Sequence, residues 1–359
     1  MFARRPKFIS ASVLLGLAIL AWCCMRCRAQ SALLLEQPYG IFGLLNPTGH
    51  NAIYLQNICA ETPVKLRPCR PGERGVVIAR YKGIDGYDWI AMPLVPYLYS
   101  VEHLSEVPSR VNRERVMRLR DHYREAHLEM LGKDLAPGNI MRDGWSELLG
   151  VTFERAIYAF RFETTPQQDE ALIAKMNAGP NRSHFNLLFN NCADFARGVL
   201  NTYFPQAFHR SIFPDAGITT PKQVADKLVR YARQHPQLHL AVFKIPQVPG
   251  YRRQSDSNKS IDESFVTTPY VIPITIFNPY VSVGLAVDYL ARGRYRLFTK
   301  RPEVLGPQNL SVLTASPGPR QSPLSAGEQP AQPGADAPSS LQTTAEANSG
   351  SEESRTTSE

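Results

Sequence analysis

The sequence has no cysteine and histidine spacing of a zinc finger, no Walker-type phosphate loop and no basic patch studded with aromatics. Nucleic acid is therefore not an expected partner. Histidines and carboxylates fall at no ligand-like spacing. His122 and His127 lie five apart in a helical segment, which puts them on different faces, so neither a metal nor a cofactor is expected. Cysteine is scarce as well. Cys23, Cys24 and Cys27 belong to an N-terminal apolar run, which leaves Cys59, Cys69 and Cys192 in the body. From about Pro307 onward aromatics almost vanish and Pro, Ser, Ala, Gly, Gln, Thr and Glu prevail. Such a stretch cannot bury enough apolar surface to offset the entropy of ordering, so a disordered tail is expected over 306–359.

Charge is present but uneven. The formal net charge is +8, yet from Arg301 to the end three arginines face seven acids, so the tail carries −4 and the rest about +12. A basic body suits an acidic partner such as lipid headgroups or cell-wall polymer; the alternative is a solvated surface.

The first thirty residues read as a targeting segment. "MFARRPK" is basic, and "FISASVLLGLAILAWCCM" is uncharged and long enough to cross a bilayer. Either the run is retained as an anchor, giving a membrane partner through this segment, or it is cleaved near Ala29 and Ser31. In both cases the body is exported, to the cell membrane and periplasm or beyond. Export makes a Cys59–Cys69 disulfide a candidate and leaves Cys192 as an odd thiol.

Along the body, "SALLLEQPYG", "HNAIYLQNIC", "GVVIARYKG", "RAIYAFRFE" and "LHLAVFKIP" read as strands. Between Ser109 and Gly132, Val116, Leu119, Tyr123, Ala126 and Met130 recur at helical spacing, with Ser109 as the cap and the arginines mainly on the wet face. Thr165–Pro166–Gln168 and Thr220–Pro221–Gln223 each mark a helix start with a capping box. "VIPITIFNPYVSVGLAV" is a second uncharged run. Its prolines and β-branched residues favour buried strand and helix pieces, with a second membrane segment as the alternative.

The chemistry concentrates in "FNNCADFARGVLNTYFP". Phe195, Ala196, Val199, Leu200 and Tyr203 form one apolar stripe, and Asn191 is a good N-cap, which sets Cys192 in the first turn. A helix N-terminus lowers the cost of a thiolate, so Cys192 is a candidate nucleophile; the alternative is a half-buried cysteine that only packs. Candidate bases are His50, which follows a Pro-Thr-Gly turn and opens a strand, and His184, eight residues before the thiol.

Together, "GHNAIYL" and the later "NCADF" resemble the circularly permuted papain-like thiol hydrolases, the superfamily of the lecithin:retinol acyltransferase-like and NlpC-like proteins. The resemblance covers roughly Ser31 to Pro205, within a domain expected over 31–210. It implies an α+β fold in which an antiparallel sheet packs against the cysteine helix; an α/β extension over 211–305 is expected beyond it. It also implies Cys192 as nucleophile, His50 as general base, and the backbone N–H of Cys192 in the oxyanion site. The family's third, orienting residue has no match here. Gln56 and Glu61 are the nearest polar candidates. The expected activity is hydrolysis or acyl transfer at an amide or ester bond, on a peptide, cell-wall or acyl-lipid substrate. The alternative is a catalytically inactive envelope protein that keeps the fold for binding or scaffolding.

Overall fold

The computed structural model describes residues 29–314, apart from 41–46, 83, 132–143, 183–184, 212–214, 216, 268–270, 294, 296 and 299–300. They belong to the first of two compact units, Met1–Gly318; the second, Pro319–Glu359, lies outside the described residues, as do residues 1–28 of the expected thirty-residue targeting segment and His184.

The chain is a mixed α+β protein built on a seven-stranded sheet. In chain order the strands are β1 (Ala29–Glu36), β2 (His50–Leu55), β5 (Val76–Arg80), β6 (Trp89–Pro93), β7 (Ile157–Thr164), β8 (Ala241–Ile245) and β9 (Glu303–Val304). Between β2 and β5, a small hairpin of β3 (Ile58–Thr62) and β4 (Lys65–Pro68) forms its own two-stranded sheet. Neighbours run β6-β5-β2-β1-β7-β8-β9, antiparallel except for β8 with β9. Because side chains alternate along a strand, Ala32, Leu34, Ala52 and Tyr54 enter one core, while Leu33, Leu35, Ile53 and Leu55 enter another on the opposite face. Burial on both faces explains why β1 and β2 read as nearly continuous apolar runs.

The first core is covered by α1 (Leu94–Tyr99), α2 (Arg113–His127) and α3 (Trp145–Leu148), through Tyr97, Val116, Tyr123, Trp145 and Leu148. The second is covered by α4 (Pro166–Asn177), α5 (Cys192–Tyr203) and α6 (Pro221–Gln234), through Leu172, Val199, Leu200, Val224 and Leu228. All five stripe residues expected on the cysteine helix are buried. Further on come α7 (Ile261–Thr267), α8 (Val271–Phe277), α9 (Pro279–Asp288) and the short α10 (Ser311–Thr314).

Capping follows the sequence at α4, where Thr165 and Gln168 reciprocate. At α6 Thr220 caps, but the Gln223 amide donates to buried Asp215 at 2.9 Å instead of closing the box. α2 begins at Asn112, not Ser109, because the Asn112 side chain accepts from Arg115 N. Its arginines are not all wet either. Arg120 is fully buried, donating to the Leu149 and Gly150 carbonyls and pairing with Glu154 at 3.1 Å.

Three expectations about the second half need correction. The 211–305 stretch contributes β8 and β9 to the same sheet as β7, so main-chain pairing joins it to the region before it. Residues up to Thr314 are folded, with Leu305, Leu310 and Leu313 buried and the Thr314 carbonyl accepting from Gln56 Nε2. The 271–287 run is helical and largely exposed instead of buried in strand and helix pieces. Among the described residues, no helix is long and apolar enough to cross a membrane. Cys59 and Cys69 are joined in a disulfide that ties β3 to the end of the hairpin.

Candidate active site

The site forms at the end of the sheet where β1 finishes and β2 begins. In the antiparallel register Glu36 faces His50, so the last residue of one strand and the first of the next sit side by side. Gly49 sets this corner with φ of +80°. A Cβ there would lie 2.1 Å from the Glu36 carbonyl oxygen and 2.3 Å from Asn258 Nδ2, a space only glycine leaves open. Asn258 in turn donates to the Glu36 and Thr48 carbonyls and holds the turn closed.

Cys192 reaches the same corner from the opposite face. It is the first residue of α5, where Asn191 Oδ1 accepts from Asp194 N at 2.9 Å and Asp194 Oδ2 accepts from Asn191 N at 3.4 Å. The box is anchored from outside. Thr219 Oγ1 donates to Asp194 at 2.7 Å, and Arg210 pairs with it at 2.8 Å while also donating to the Phe189 carbonyl. Burial raises the Asp194 carboxyl, but these hydrogen bonds and the Arg210 charge outweigh it and hold the group below its usual range. Arg80 on β5 fixes the preceding loop, bonding Asn190 Oδ1 at 2.5 Å, pairing with Asp88 and lying over the Phe195 ring. The nucleophile candidate is thus held by a helix cap, a sheet arginine and a loop arginine.

His50 is 3% exposed and is coupled electrostatically to Cys192, whose side chain is half-buried. Its Nδ1 lies 3.6 Å from Glu147 Oε2 on α3, and its buried Nε2 has no hydrogen-bond partner. Burial alone disfavours the imidazolium. Cys192, Glu147 and Glu36 together overcome that cost and raise the group from 6.5 to about 10. Glu147 responds in kind: burial raises it, while His50 and Arg155 hold it below the ordinary carboxylate value.

Behind His50 lies a polar layer that nothing in the sequence singled out. Arg155, 2% exposed, bridges Glu147 at 3.4 Å and Glu36 at 3.2 Å. The Tyr97 hydroxyl donates to the other oxygen of Glu36. Tyr39 lies under the Arg155 guanidinium, 4.3 Å from it, and bonds Ser146 at 3.0 Å. Tyr81 stacks on the His50 ring with centroids 5.8 Å apart, and its buried hydroxyl has no hydrogen-bond partner. Burial, reinforced by Glu36, Glu147 and Cys192, pushes that phenol well above its usual range, so it remains a donor at any ordinary pH.

The two polar candidates for the orienting role are elsewhere. Glu61 is on the exposed hairpin, paired with Lys65 at 2.8 Å, because β3 turns away from the main sheet. Gln56 ends up at the far end of β2, bonded to the Thr314 carbonyl. The residue beside Nδ1 is Glu147. A short helix with no distinctive pattern gave no signal for it, whereas Glu36 was findable: an acid closing an apolar strand faces the residue that opens its hairpin partner.

Among the described residues, one group of cysteine and carboxylate side chains is close enough to suggest a metal site, Cys59, Cys69 and Glu73. Both sulfurs are in the disulfide and Arg67 holds Glu73, so the group has no free thiolate to offer. A cavity of about 710 Å³ beside this hairpin, bordered by Arg74, Pro93, His103 and His127, includes neither Cys192 nor His50.

Comparison with protein-family models, with curated proteins and with solved structures finds no match for this chain.

Proposed function

We propose that the protein is a thiol hydrolase or acyltransferase of the permuted papain-like kind, exported or membrane-anchored, acting on an amide or ester bond. The observation that carries this reading is the electrostatic coupling of Cys192 to a buried histidine whose Nδ1 faces a carboxylate. Nucleophile, base and orienting group in series are the components of a thiol-based triad. The order along the chain, histidine strand before cysteine helix, and the antiparallel sheet against that helix support the papain-like assignment. The Cys59–Cys69 disulfide and the apolar N-terminal sequence support an oxidising, exported setting.

In the proposed cycle the resting proton sits on His50 and the negative charge on the Cys192 sulfur. The sulfur adds to the substrate carbonyl carbon, forming a C–S bond and moving the carbonyl electron pair onto oxygen. Backbone N–H groups at the start of α5, that of Cys192 among them, receive the oxyanion, with the Tyr81 hydroxyl as a second donor. His50 then gives its Nε2 proton to the leaving nitrogen or oxygen as that bond breaks, leaving a thioester on Cys192. Neutral His50 next takes a proton from water or another acceptor, which attacks the thioester and restores the sulfur anion. Glu147 touches only the imidazole, so its role is positioning and charge support.

Full-length protein mixed with a p-nitrophenyl acyl ester tests the reading. The expected result is a burst of nitrophenol matching the enzyme concentration, with the acyl mass on the peptide that contains Cys192. No acyl adduct, or an equal burst from Cys192→Ala, would favour the scaffold alternative.

A further inference from the structure

α8 and α9 hold their apolar side chains in water. Ile276 is 73% exposed, Phe277 and Tyr280 are each 87% exposed, and Val283, Val287 and Leu290 are about 60% exposed. Tyr280, Val283, Val287 and Leu290 recur at helical spacing, so they form one stripe along α9 and its π-helical continuation Tyr289–Gly293. A helix of a globular body turns such a stripe inward, and an exposed patch of this kind marks an interaction surface.

A second exposed apolar group stands directly before the thiol. Leu187, Leu188 and Phe189 are 55%, 46% and 57% exposed, and Asn190, Asn191 and Cys192 follow them. A series of contacts runs from one group to the other. Asn191 Nδ2 donates to the carbonyls of Leu187 and Thr219, next to the start of α6. From that helix Lys222 pairs with Glu263 of α7 at 2.5 Å, and α7 packs against α9.

Charge identifies the occupant. Between residues 271 and 301 the sequence carries one acid, Asp288, against Arg292, Arg294, Arg296, Lys300 and Arg301. A basic cluster following an apolar helix is attracted to the anionic headgroups of a membrane surface. α9 with its π-helical turn is short of the roughly 30 Å of a bilayer core, so it suits the headgroup boundary rather than a crossing. We propose that the α8–α9 pair and the 187–189 loop form a docking face for an anionic membrane surface, which holds the mouth of the Cys192 site at the headgroup level. This surface goes beyond the catalytic reading and stands without it.

The test uses the full chain in a Trp22→Phe background, since the other tryptophans, Trp89 and Trp145, are buried. Phe277→Trp supplies a reporter on the face, and Lys65→Trp, on the exposed hairpin, supplies the control. Each is added to phosphatidylcholine vesicles containing about one-third phosphatidylglycerol and doped with doxyl-labelled lipid. The expected result is a blue shift and severalfold stronger quenching at 277 than at 65, falling when salt is raised or phosphatidylglycerol is omitted. Quenching at 277 no greater than at 65 overturns the proposal. Equal quenching in purely zwitterionic vesicles overturns the anionic surface. A blue shift without vesicles, accompanied by a dimer mass, assigns the face to a second copy and also overturns it. Should Phe277→Trp not fold by circular dichroism, Val283→Trp provides the same readout. Adding Cys192→Ala should leave the quenching unchanged, which separates failure of docking from failure of catalysis.

Discussion

Glu147 Oε2 stands 3.6 Å from His50 Nδ1, and its other oxygen stands 3.4 Å from Arg155, which also holds Glu36. His50 therefore sits between a sulfur and a carboxylate that is itself fixed by a buried guanidinium. That arrangement fixes the ring's orientation and favours its charged form, the two properties needed of a histidine that must hold a proton and then release it.

Replacing Glu147 with Gln keeps the shape and removes the charge. Turnover on the acyl ester should fall by roughly tenfold or more with KM little changed, since general acid–base catalysis is worth about 10²–10⁴ and Glu147 acts only through His50. The alkaline limb of the pH profile should move to lower pH, because His50 loses one of the charges that raise it. Glu147→Asp should restore part of the rate. An unchanged profile would assign Glu147 a purely structural place.

Stability should depend on pH in a defined window. His50 is raised from 6.5 to about 10 in the folded chain, so its contribution is complete below 6.5 and is lost as pH climbs through about 10. Urea unfolding at pH 6, 8 and 10 should show a fall across that span for the parent. The fall should be shallower for Cys192→Ala, which removes the largest group favouring the imidazolium. Equal slopes for the two proteins would mean that the thiol does not hold the proton on His50.

Much of the frame behind these expectations was legible in the residues. The apolar stripe of α5, its Asn191 cap and the turn before His50 each carry a local signature, and the structure puts all three where their chemistry requires. What was illegible depends on distance along the chain. Nothing in "GWSELLG" distinguishes Glu147 from a solvated acid; only the packing of α3 over the first core brings it to β2. Arg120 looked like a wet-face arginine and Arg155 carried no signal, because burial of a guanidinium depends on carboxylates and carbonyls that arrive from elsewhere. The 271–287 run misled for the opposite reason. Apolar composition signals burial, yet which surface buries it is not written in the run itself.

Arg155 is the keystone of the polar layer. Arg155→Met keeps the length of the side chain but leaves Glu36 and Glu147 without their cation. Breaking one partner out of a buried ion pair costs about 3–5 kcal/mol, so the variant should unfold at markedly lower temperature or denaturant concentration. A loss below about 1 kcal/mol, in the range of an exposed pair, would show that the layer is hydrated and does not depend on this residue.

Tyr81→Phe separates chemistry from stability. The hydroxyl has no partner to lose, so its removal should leave thermal stability equal or slightly higher, because a buried unsatisfied group is a cost. If it donates to the oxyanion, kcat should fall by about 10²-fold while alkylation of Cys192 proceeds at the parent rate. Unchanged kcat would leave the backbone of α5 as sole donor.

The most direct measurement is the rate of iodoacetamide alkylation at Cys192, followed on its own peptide by mass spectrometry from pH 4 to pH 10 in the full-length protein. A sulfur activated by His50 should be alkylated faster than free cysteine in neutral and mildly acidic solution, and His50→Ala should remove that advantage. A parent curve that already follows free cysteine, or one that His50→Ala leaves in place, contradicts the pairing of this thiol with this imidazole as a catalytic unit.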